Sequence, residues 1–200
     1  MARLILASSS PRRIQLLREA KFEPEVVCPN AAELTCDYLT PSELARFNAR
    51  LKAAAVAVQY PDAVVLGADT IVALGLEVFG KPRDFDNARQ MLHKLVGRKH
   101  EVITGVALIQ ANAHRFTLRA VSSAVTFRAL SGAQIDAYLK LVNPLDKAGA
   151  YAAQESASVI IQRISGSFTN VVGLPMELVR PLLHEAGVRP SSETDRRSSR

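Results

Sequence analysis

The chain is poor in several features that mark particular classes of protein. It has no tryptophan among 200 residues and only 6% aromatic residues, with none interleaved among clustered lysines and arginines. A base-stacking surface for nucleic acid is therefore not expected. No stretch approaches the ~20 apolar residues of a membrane span, and the N-terminus lacks a secretory pattern. These absences predict a cytoplasmic protein with no membrane partner and no specific nucleic-acid partner.

Cysteines and glycine-rich signatures are scarce as well. Cys28 and Cys36 are the only cysteines, and no pair of histidines stands at metal-binding spacing. We interpret both cysteines as free thiols in a reducing compartment. The chain contains no G-x-x-x-x-G-K-[ST] loop, which excludes a Walker-type phosphate site. The histidines, among them His100, have no obvious partner, and a structural role is expected for them.

Basic residues are in modest excess. The formal net charge is +6, and the charges are spread along the chain. This balance suits an anionic ligand, and we prefer a small phosphorylated substrate to a polymer. A non-enzymatic nucleotide- or RNA-binding module is the alternative, because the tail at 190–200 is rich in serine and arginine. We expect that tail to be disordered.

Length and hydropathy predict a packed core. A chain of 200 residues with 48% hydrophobic residues suffices for one large domain or two small lobes. Strand and helix patterns alternate along it. We therefore predict one domain over 1–189, of mixed α/β or α+β class, with two lobes and a ligand cleft between them.

Capping and turn signals divide the domain into elements. Thr40-Pro41-Ser42-Glu43 is a capping box, and its helix is predicted to carry an apolar face of Leu44, Phe47, Leu51, Ala55 and Val58. Further helices are predicted to begin at Asp84 or Asp86, at Ser131 and at Pro175. Strands are predicted at 23–28, 63–66, 71–74, 77–79, 101–110, 115–128 and 159–164. The third and fourth are expected to form a hairpin around Gly75, and the fifth and sixth an antiparallel pair.

The N-terminus holds the most informative local pattern. An apolar run at Leu4–Ala7 predicts a buried strand, and Ser10 and Pro11 then suit the N-cap and the first position of a helix. Two arginines follow in the first helical turn, where cations oppose the helix dipole unless an anion binds there. The alternative is a plainly capped helix with solvated arginines. The candidate phosphate ligands at this turn are Ser8, Ser10, Arg12 and Arg13.

Three further segments carry site-like residues. Gly67-Ala-Asp69-Thr70 follows an apolar strand, so we expect Asp69 at a strand end, where α/β proteins place their chemistry. In Gly80-Lys81-Pro82, the glycine lets the backbone lie close to a ligand, and the proline restricts the backbone direction after the lysine. The segment at 146–155 combines small residues with a tyrosine and an amide. Each segment has a simpler interpretation: Asp69 as a turn residue, Lys81 as an exposed lysine, and 146–155 as a structural connector. For two other charged residues, Glu33 in a loop and Lys52 on the second helix, the simpler interpretation is a solvated side chain.

In this order the segments resemble one known family. The matching blocks are Leu6-Ala-Ser-x-Ser-Pro-Arg-Arg13, Gly67-Ala-Asp-Thr70, Gly80-Lys-Pro82, Ala148-Gly-Ala-Tyr-Ala-Ala-Gln154 and Asn170-Val-Val-Gly-Leu-Pro175. The chain resembles the Maf family of nucleoside triphosphate pyrophosphatases over nearly its whole length. Each block is weak alone, but the ordered set is specific.

The resemblance implies a fold and an activity. The expected fold is that of the inosine triphosphate pyrophosphatases, an elongated mixed sheet with two lobes around a nucleotide cleft, often in a homodimer. The expected reaction is hydrolysis of a nucleoside triphosphate to the monophosphate and pyrophosphate, aided by a divalent cation such as Mg²⁺ or Mn²⁺. Asp69 is the implied catalytic proton acceptor, and Glu33 and Asp69 are the carboxylates implied nearest to the metal.

The remaining implied positions bind substrate. A triphosphate needs matching cations, which arginine forks and lysine point charges supply. The implied substrate-binding residues are Ser8, Ser10, Arg12, Arg13, Lys52, Thr70, Lys81 and Gln154.

Gln154 is the implied base-selecting residue. An amide can donate to a carbonyl and accept from the N3–H of uracil or thymine, so this residue resembles the subgroup that acts on dTTP and UTP. Arg12 and Thr70 fit the same subgroup. A glutamate would resemble the 7-methyl-GTP subgroup, and Glu155 directly follows Gln154, so that specificity is the alternative.

Overall fold

A mixed sheet of seven strands, with helices on both faces, forms the frame of the protein. The computed structural model describes residues 2–154 and 156–191. Its strands are β1 (Leu4–Ala7), β2 (Glu25–Val26), β3 (Val64–Leu74), β4 (Glu77–Phe79), β5 (Lys99–Gln110), β6 (Arg115–Phe127) and β7 (Ile161–Ser165). Its α-helices are α1 (Pro11–Glu19), α2 (Pro41–Ala57), α3 (Phe85–Leu95), α4 (Gly132–Leu141), α5 (Ala157–Ile160), α6 (Phe168–Val172) and α7 (Met176–Glu185).

The strand order is β2-β1-β3-β5-β6-β7, and β4 pairs with β3 beyond the end of β1. β1 runs parallel to β2 and β3, whereas the pairs β3–β4, β3–β5, β5–β6 and β6–β7 are antiparallel. The predicted mixed sheet and α/β class are confirmed. The predicted extent of the domain and its division into two lobes stay predictions.

Side chains alternate between the two faces of the sheet, and both faces are buried. Leu6 and Leu66 pack on one face with apolar residues of α1 and α7. Ile5 and Val65 pack on the other face against α2. Because successive strand residues point to opposite faces, the continuous apolar run of β1 is explained by burial on both sides.

α2 lies unusually close to the sheet. A Cβ atom added to Gly67 would stand 2.5 Å from the carbonyl oxygen of Ala49, and one added to Gly105 would stand 2.2 Å from that of Ala45. These glycines, on neighbouring strands, let the helix backbone touch the sheet. Alanines fill the rest of the contact, with Ala53 fully buried. A helix at this distance has no room for large side chains.

The predicted apolar face of α2 is therefore wrong. Leu44 is buried, but Phe47 is 38% exposed and Val58 is 83% exposed. Leu51 and Ala55 are only partly buried. The buried face instead carries small residues together with two polar ones, Asn48 and Lys52.

Most predicted caps and hairpins are confirmed. The capping boxes at Thr40 and Ser131 are both formed, Asp84 caps α3, and β3 turns into β4 at Gly75, which has a φ of +64°. Ser10 stands at the N-cap of α1 with Pro11 next to it, but its hydroxyl makes no capping hydrogen bond.

Several predicted strands have different bounds in the structure. The strand predicted at 23–28 is reduced to the two residues of β2, and the one predicted at 159–164 begins at Ile161 after the short helix α5. The strands predicted at 63–66 and 71–74 are parts of one continuous strand, β3, which also includes Gly67 and Asp69.

In the described part of the chain, no helix is long and apolar enough to cross a membrane. Most of the tail predicted to be disordered, 192–200, lies outside the described residues. Ser191 is described, and its backbone N–H donates to the carbonyl of Lys21 at 2.7 Å.

Candidate active site

Asp69 lies where the neighbours of β3 change. β1 pairs with β3 up to the partners Ala7 and Gly67, and β4 begins to pair with it at Val72. Within the described residues, 68–71 therefore have a strand partner only on the β5 side. The prediction that Asp69 ends its own strand is wrong, because β3 continues to Leu74. It is instead the parallel neighbour, β1, that ends beside it.

Lys52 joins two carboxylates at this point. Its Nζ donates to Oδ1 of Asp69 and to Oε1 of Glu33, both at 2.6 Å. The side chains of Lys52 and Asp69 are only 11% and 8% exposed, whereas that of Glu33 is 53% exposed. The ammonium group is thus held between a buried and a half-exposed carboxylate, and it is not the solvated charge of the simpler interpretation.

The electrostatic surroundings keep Glu33 ionised. Its partial burial acts to raise its pKa, but the hydrogen bond and charge of Lys52 outweigh this, and Lys81 and Arg13 act in the same direction. The net result is a pKa below the ordinary value. Lys81 is exposed and lies near enough for its charge to act on Glu33.

Arg13 is held by a set of protein oxygens. Its Nε donates to the Gly173 carbonyl at 2.9 Å, its Nη1 to Ser8 Oγ at 3.0 Å and its Nη2 to Thr70 Oγ1 at 3.0 Å. Burial lowers the pKa of this guanidinium, while the negative charge of Asp69 acts to raise it. An arginine remains charged under such conditions, so a buried cation is fixed beside the end of β1.

A polar chain continues behind this arginine. Thr70 Oγ1 lies 3.0 Å from Thr104 Oγ1, and Thr104 donates to the Asn170 carbonyl at 3.2 Å. Asn170 is fully buried, and its amide donates to Ser123 Oγ at 2.9 Å. These hydrogen bonds link β3, β5, β6 and α6, and they fix the Thr70 hydroxyl, which accepts the hydrogen bond from Arg13.

Arg12 points to a different partner. Its Nη1 donates to Oδ2 of Asp146 at 3.1 Å, and Lys147 donates to the other oxygen at 2.7 Å. Burial acts to raise the pKa of Asp146, but these two cations lower it below its ordinary value. The same loop reaches the Gly80-Lys81-Pro82 segment, because the N–H of Gly149 donates to the Gly80 carbonyl at 3.0 Å.

The side chains of three predicted residues, Ser10, Lys81 and Gln154, make no hydrogen bond or ion pair with these clusters in the described chain. The Ser10 backbone N–H donates to Ser8 Oγ at 3.2 Å, but its own hydroxyl has no partner there. Gln154 is exposed and makes no hydrogen bond to the other described site residues. Glu155, the neighbour on which the alternative specificity depends, lies outside the described residues.

A large groove lies elsewhere. It has a volume of about 880 Å³ and lies between α3 and α4, with Phe85, Arg89, Asp136 and Leu141 among its lining residues. None of the predicted site residues lines it. The candidate site is the cluster around Asp69, where buried charges of opposite sign meet.

Comparisons with known proteins agree on one family. The family model described as Maf-like protein matches residues 3–186. The chain belongs to the Maf family. A protein of Symbiobacterium thermophilum named dTTP/UTP pyrophosphatase is 46% identical over 94% of this chain and 95% of its own length. A Myxococcus xanthus protein with the same name is 46% identical over 92% of this chain and 93% of its own length. One from Bacillus cereus is 43% identical over 91% of this chain and 95% of its own length.

The Maf chain offers few ligands for a metal ion. Within the described residues, no three His, Cys, Asp or Glu side chains are grouped as a metal site. Glu33 and Asp69 nevertheless converge on one cation, the Lys52 ammonium. Mg²⁺ is commonly held by one or two carboxylates together with substrate phosphates and water. The pair therefore fits a divalent ion that takes its other ligands from a nucleotide.

Sequence reasoning missed several residues of the Maf site. Asp146 and Lys147 stand in a segment singled out from the sequence, but no role was assigned to them. Thr104 was likewise given no role, although Thr104-Gly105-Val106 matches the family pattern. Asn48 had a signal, since it is a polar residue one helical turn before Lys52 on a face of alanines.

Proposed function

We propose that this protein hydrolyses dTTP and UTP to the monophosphate and pyrophosphate, with Asp69 at the reacting centre. The observation that carries the proposal is the position of Asp69. This carboxylate lies at the end of β1, tied to Lys52, and its charge acts on the buried Arg13. The relatives named dTTP/UTP pyrophosphatase support the substrate.

The cations near Asp69 suit a triphosphate. The guanidinium of Arg13 has five N–H donors, and the three atoms Nε, Nη1 and Nη2 each use one on the protein. Two donors are left for phosphate oxygens. Arg12 is partly exposed and is held by Asp146, and Lys81 is exposed. In phosphoryl transfer, positioning and charge stabilisation of this kind supply most of the catalysis.

Asp69 is proposed to accept the proton of the attacking water. Lys52 binds Oδ1, and the described chain makes no hydrogen bond to Oδ2, so that oxygen is available to the water. Lys52 also fixes the orientation of the carboxylate. A divalent ion held by Glu33 and Asp69 would acidify the water and balance phosphate charge. We propose Mg²⁺ or Mn²⁺ for this position because both ligands are carboxylates.

Gln154 is proposed to select the base, as the family resemblance implies. Its amide can pair with both a carbonyl and the N3–H of a pyrimidine. The resemblance also supports a homodimer in the cytoplasm, which light scattering and cell fractionation test. Ser8, Ser10 and Thr70 complete the proposed substrate site.

A nucleotide panel tests the proposal. The purified protein is incubated with dTTP, UTP, other nucleoside triphosphates and 7-methyl-GTP in Mg²⁺ or Mn²⁺, and monophosphate and pyrophosphate are quantified. We expect release from dTTP and UTP. Preferred cleavage of 7-methyl-GTP would move the protein to the other subgroup, and salt-sensitive polynucleotide binding without hydrolysis would indicate a binding module.

A matched pair of aspartates tests the base. Asp69→Asn should abolish turnover while the protein keeps its fold, because the amide cannot accept the proton. Asp62→Asn, at an exposed aspartate on the same chain, should leave turnover unchanged. Full activity in Asp69→Asn would refute the role given to this residue.

A further inference from the structure

The loop that carries Glu33 has little structure of its own. Residues 27–40 connect β2 to α2 without a helix or strand. Near its start, the Val27 N–H donates to the Leu6 carbonyl at 3.1 Å, and at its end Thr40 caps α2. A loop of this length needs an anchor near its middle if one of its side chains is to stay at a fixed position.

Asn48 provides that anchor. The backbone N–H of Leu34 donates to its Oδ1 at 2.8 Å, and its Nδ2 donates to the carbonyl of Leu34 at 3.1 Å. Both backbone groups of one loop residue are thus bound by one amide side chain. Asn48 is only 4% exposed, so solvent competes little for these bonds.

The anchored residue directly follows Glu33. Asn48 and Lys52 stand one helical turn apart on the buried face of α2, where residues four apart are neighbours. Asn48 binds the backbone of Leu34, and Lys52 binds the side chain of Glu33 at 2.6 Å. Two neighbouring helix residues therefore hold two neighbouring loop residues.

Packing of α2 alone does not explain an asparagine here. Asparagine is a weak helix former, and the surrounding face of α2 consists mainly of alanines that let the helix approach the sheet. Burying an amide is costly unless it is hydrogen-bonded. In the described chain, all the hydrogen bonds of this amide go to Leu34, so the loop is the reason for the residue.

We propose that Asn48 is a positioning residue for Glu33: by binding Leu34 it holds the loop so that the Glu33 carboxylate stays on Lys52 beside Asp69. The proposal rests on the proposed function, in which Glu33 serves the reacting centre. Among the described residues, Asn48 makes no hydrogen bond to Asp69, and it acts through the loop.

Hydrogen exchange tests the anchor without any assay of activity. In the wild type the Leu34 amide should be protected, and in Asn48→Leu and Asn48→Ala peptides covering 30–39 should exchange faster. The matched control is Val56→Ala, which removes buried apolar volume from the same helix where it packs against Ile5 and Val65 of the sheet. It should lower stability while leaving exchange at 30–39 unchanged. Protection retained in both Asn48 variants would overturn the proposal.

A double-mutant cycle tests the link to Glu33. Asn48→Leu should lower kcat/KM for dTTP by about 10- to 100-fold, as expected when an active-site group is misplaced by about 1 Å. The loss should appear mainly in kcat. If Asn48 acts through Glu33, the double variant Asn48→Leu/Glu33→Gln should be no slower than Glu33→Gln alone.

The outcomes separate the two proposals. Losses that multiply in the double variant would show that Asn48 acts by another route and would overturn the inference. A wild-type protein that leaves dTTP and UTP intact would instead refute the proposed function. In that case the exchange experiment still decides whether Asn48 anchors the loop.

Discussion

Replacing Lys52 by methionine should destabilise the fold, because it leaves a buried carboxylate without its cation. The side chains of Lys52 and Asp69 are 11% and 8% exposed and 2.6 Å apart. Removal of one partner from a buried ion pair costs about 3–5 kcal/mol. Glu33, the second partner, is 53% exposed, and its separate contribution is small because water screens it.

Thermal unfolding measures this cost. For a domain of this size, each kcal/mol corresponds to about 2–4 °C in Tm, so Lys52→Met should lower Tm by about 6–20 °C at pH 7. Circular dichroism on heating gives the value. Lys94→Met is the control, because Lys94 forms an exposed ion pair with Glu77, and such pairs contribute at most about 1 kcal/mol.

A second substitution separates charge from packing. Lys52→Met/Asp69→Leu removes both charges, and replacing a whole buried pair by apolar residues is often neutral. The double variant should therefore regain most of the Tm lost in Lys52→Met. The reasoning is refuted if Lys52→Met unfolds within 1–2 °C of the wild type, or if the double variant is the less stable of the two.

Three further predictions concern pH and packing. The folded-state pKa of Glu33 lies below its ordinary value of 4.5. Its ionised carboxylate therefore stabilises the fold above pH 4.5, and this contribution is lost as the pH falls through the folded-state pKa. The urea midpoints of Glu33→Gln and the wild type should converge over that acidic range. Burial lowers the pKa of His100 to about 4, so the unfolded chain takes up its proton first as pH falls below about 6.5. The wild type should lose roughly 3 kcal/mol between pH 6.5 and 4 from this group, a loss that urea titration of His100→Gln should not show. Gly105→Ala would place a Cβ 2.2 Å from the Ala45 carbonyl oxygen. We expect the free energy of unfolding to fall by about 1–3 kcal/mol or more, together with loss of turnover. An unchanged Tm in calorimetry would contradict the close approach of α2.

Local signals in the sequence were sufficient for many elements. A capping box specifies its own hydrogen bonds, so the starts of α2 and α4 could be predicted from four residues each. The hairpin at Gly75 and the long antiparallel pair β5–β6 likewise depend on contacts between neighbouring segments. The ordered blocks of the N-terminal turn, Gly67–Thr70 and Gly80–Pro82 were enough for the family.

The buried face of α2 could not be predicted in this way. Periodicity assigns the core face to the largest apolar residues, and this places Phe47 and Val58 inside. The actual face is set by contact with Gly67 and Gly105, which lie in other elements but touch the backbone of α2 in the folded protein. Only the tertiary contact shows that small residues are needed, and that Lys52 consequently points into the protein.

The same kind of contact explains how one site uses both faces of a sheet. Asp69 and Thr70 are consecutive in β3, so their side chains point to opposite faces. Asp69 meets Lys52 of α2, and Thr70 meets Arg13 of α1. A complete sheet would separate these two groups.

Here the separation ends at the edge of the sheet, because β1 stops opposite Gly67 and the pairing of β3 with β4 covers only 72–74. Across this gap the charge of Asp69 acts on Arg13, and that of Arg13 acts on Glu33. In the proposed function, a polyphosphate at this gap would meet cations from both faces at once. The open edge, which local sequence patterns do not specify, is what brings the ion pairs of Lys52 and the buried Arg13 into one candidate active site.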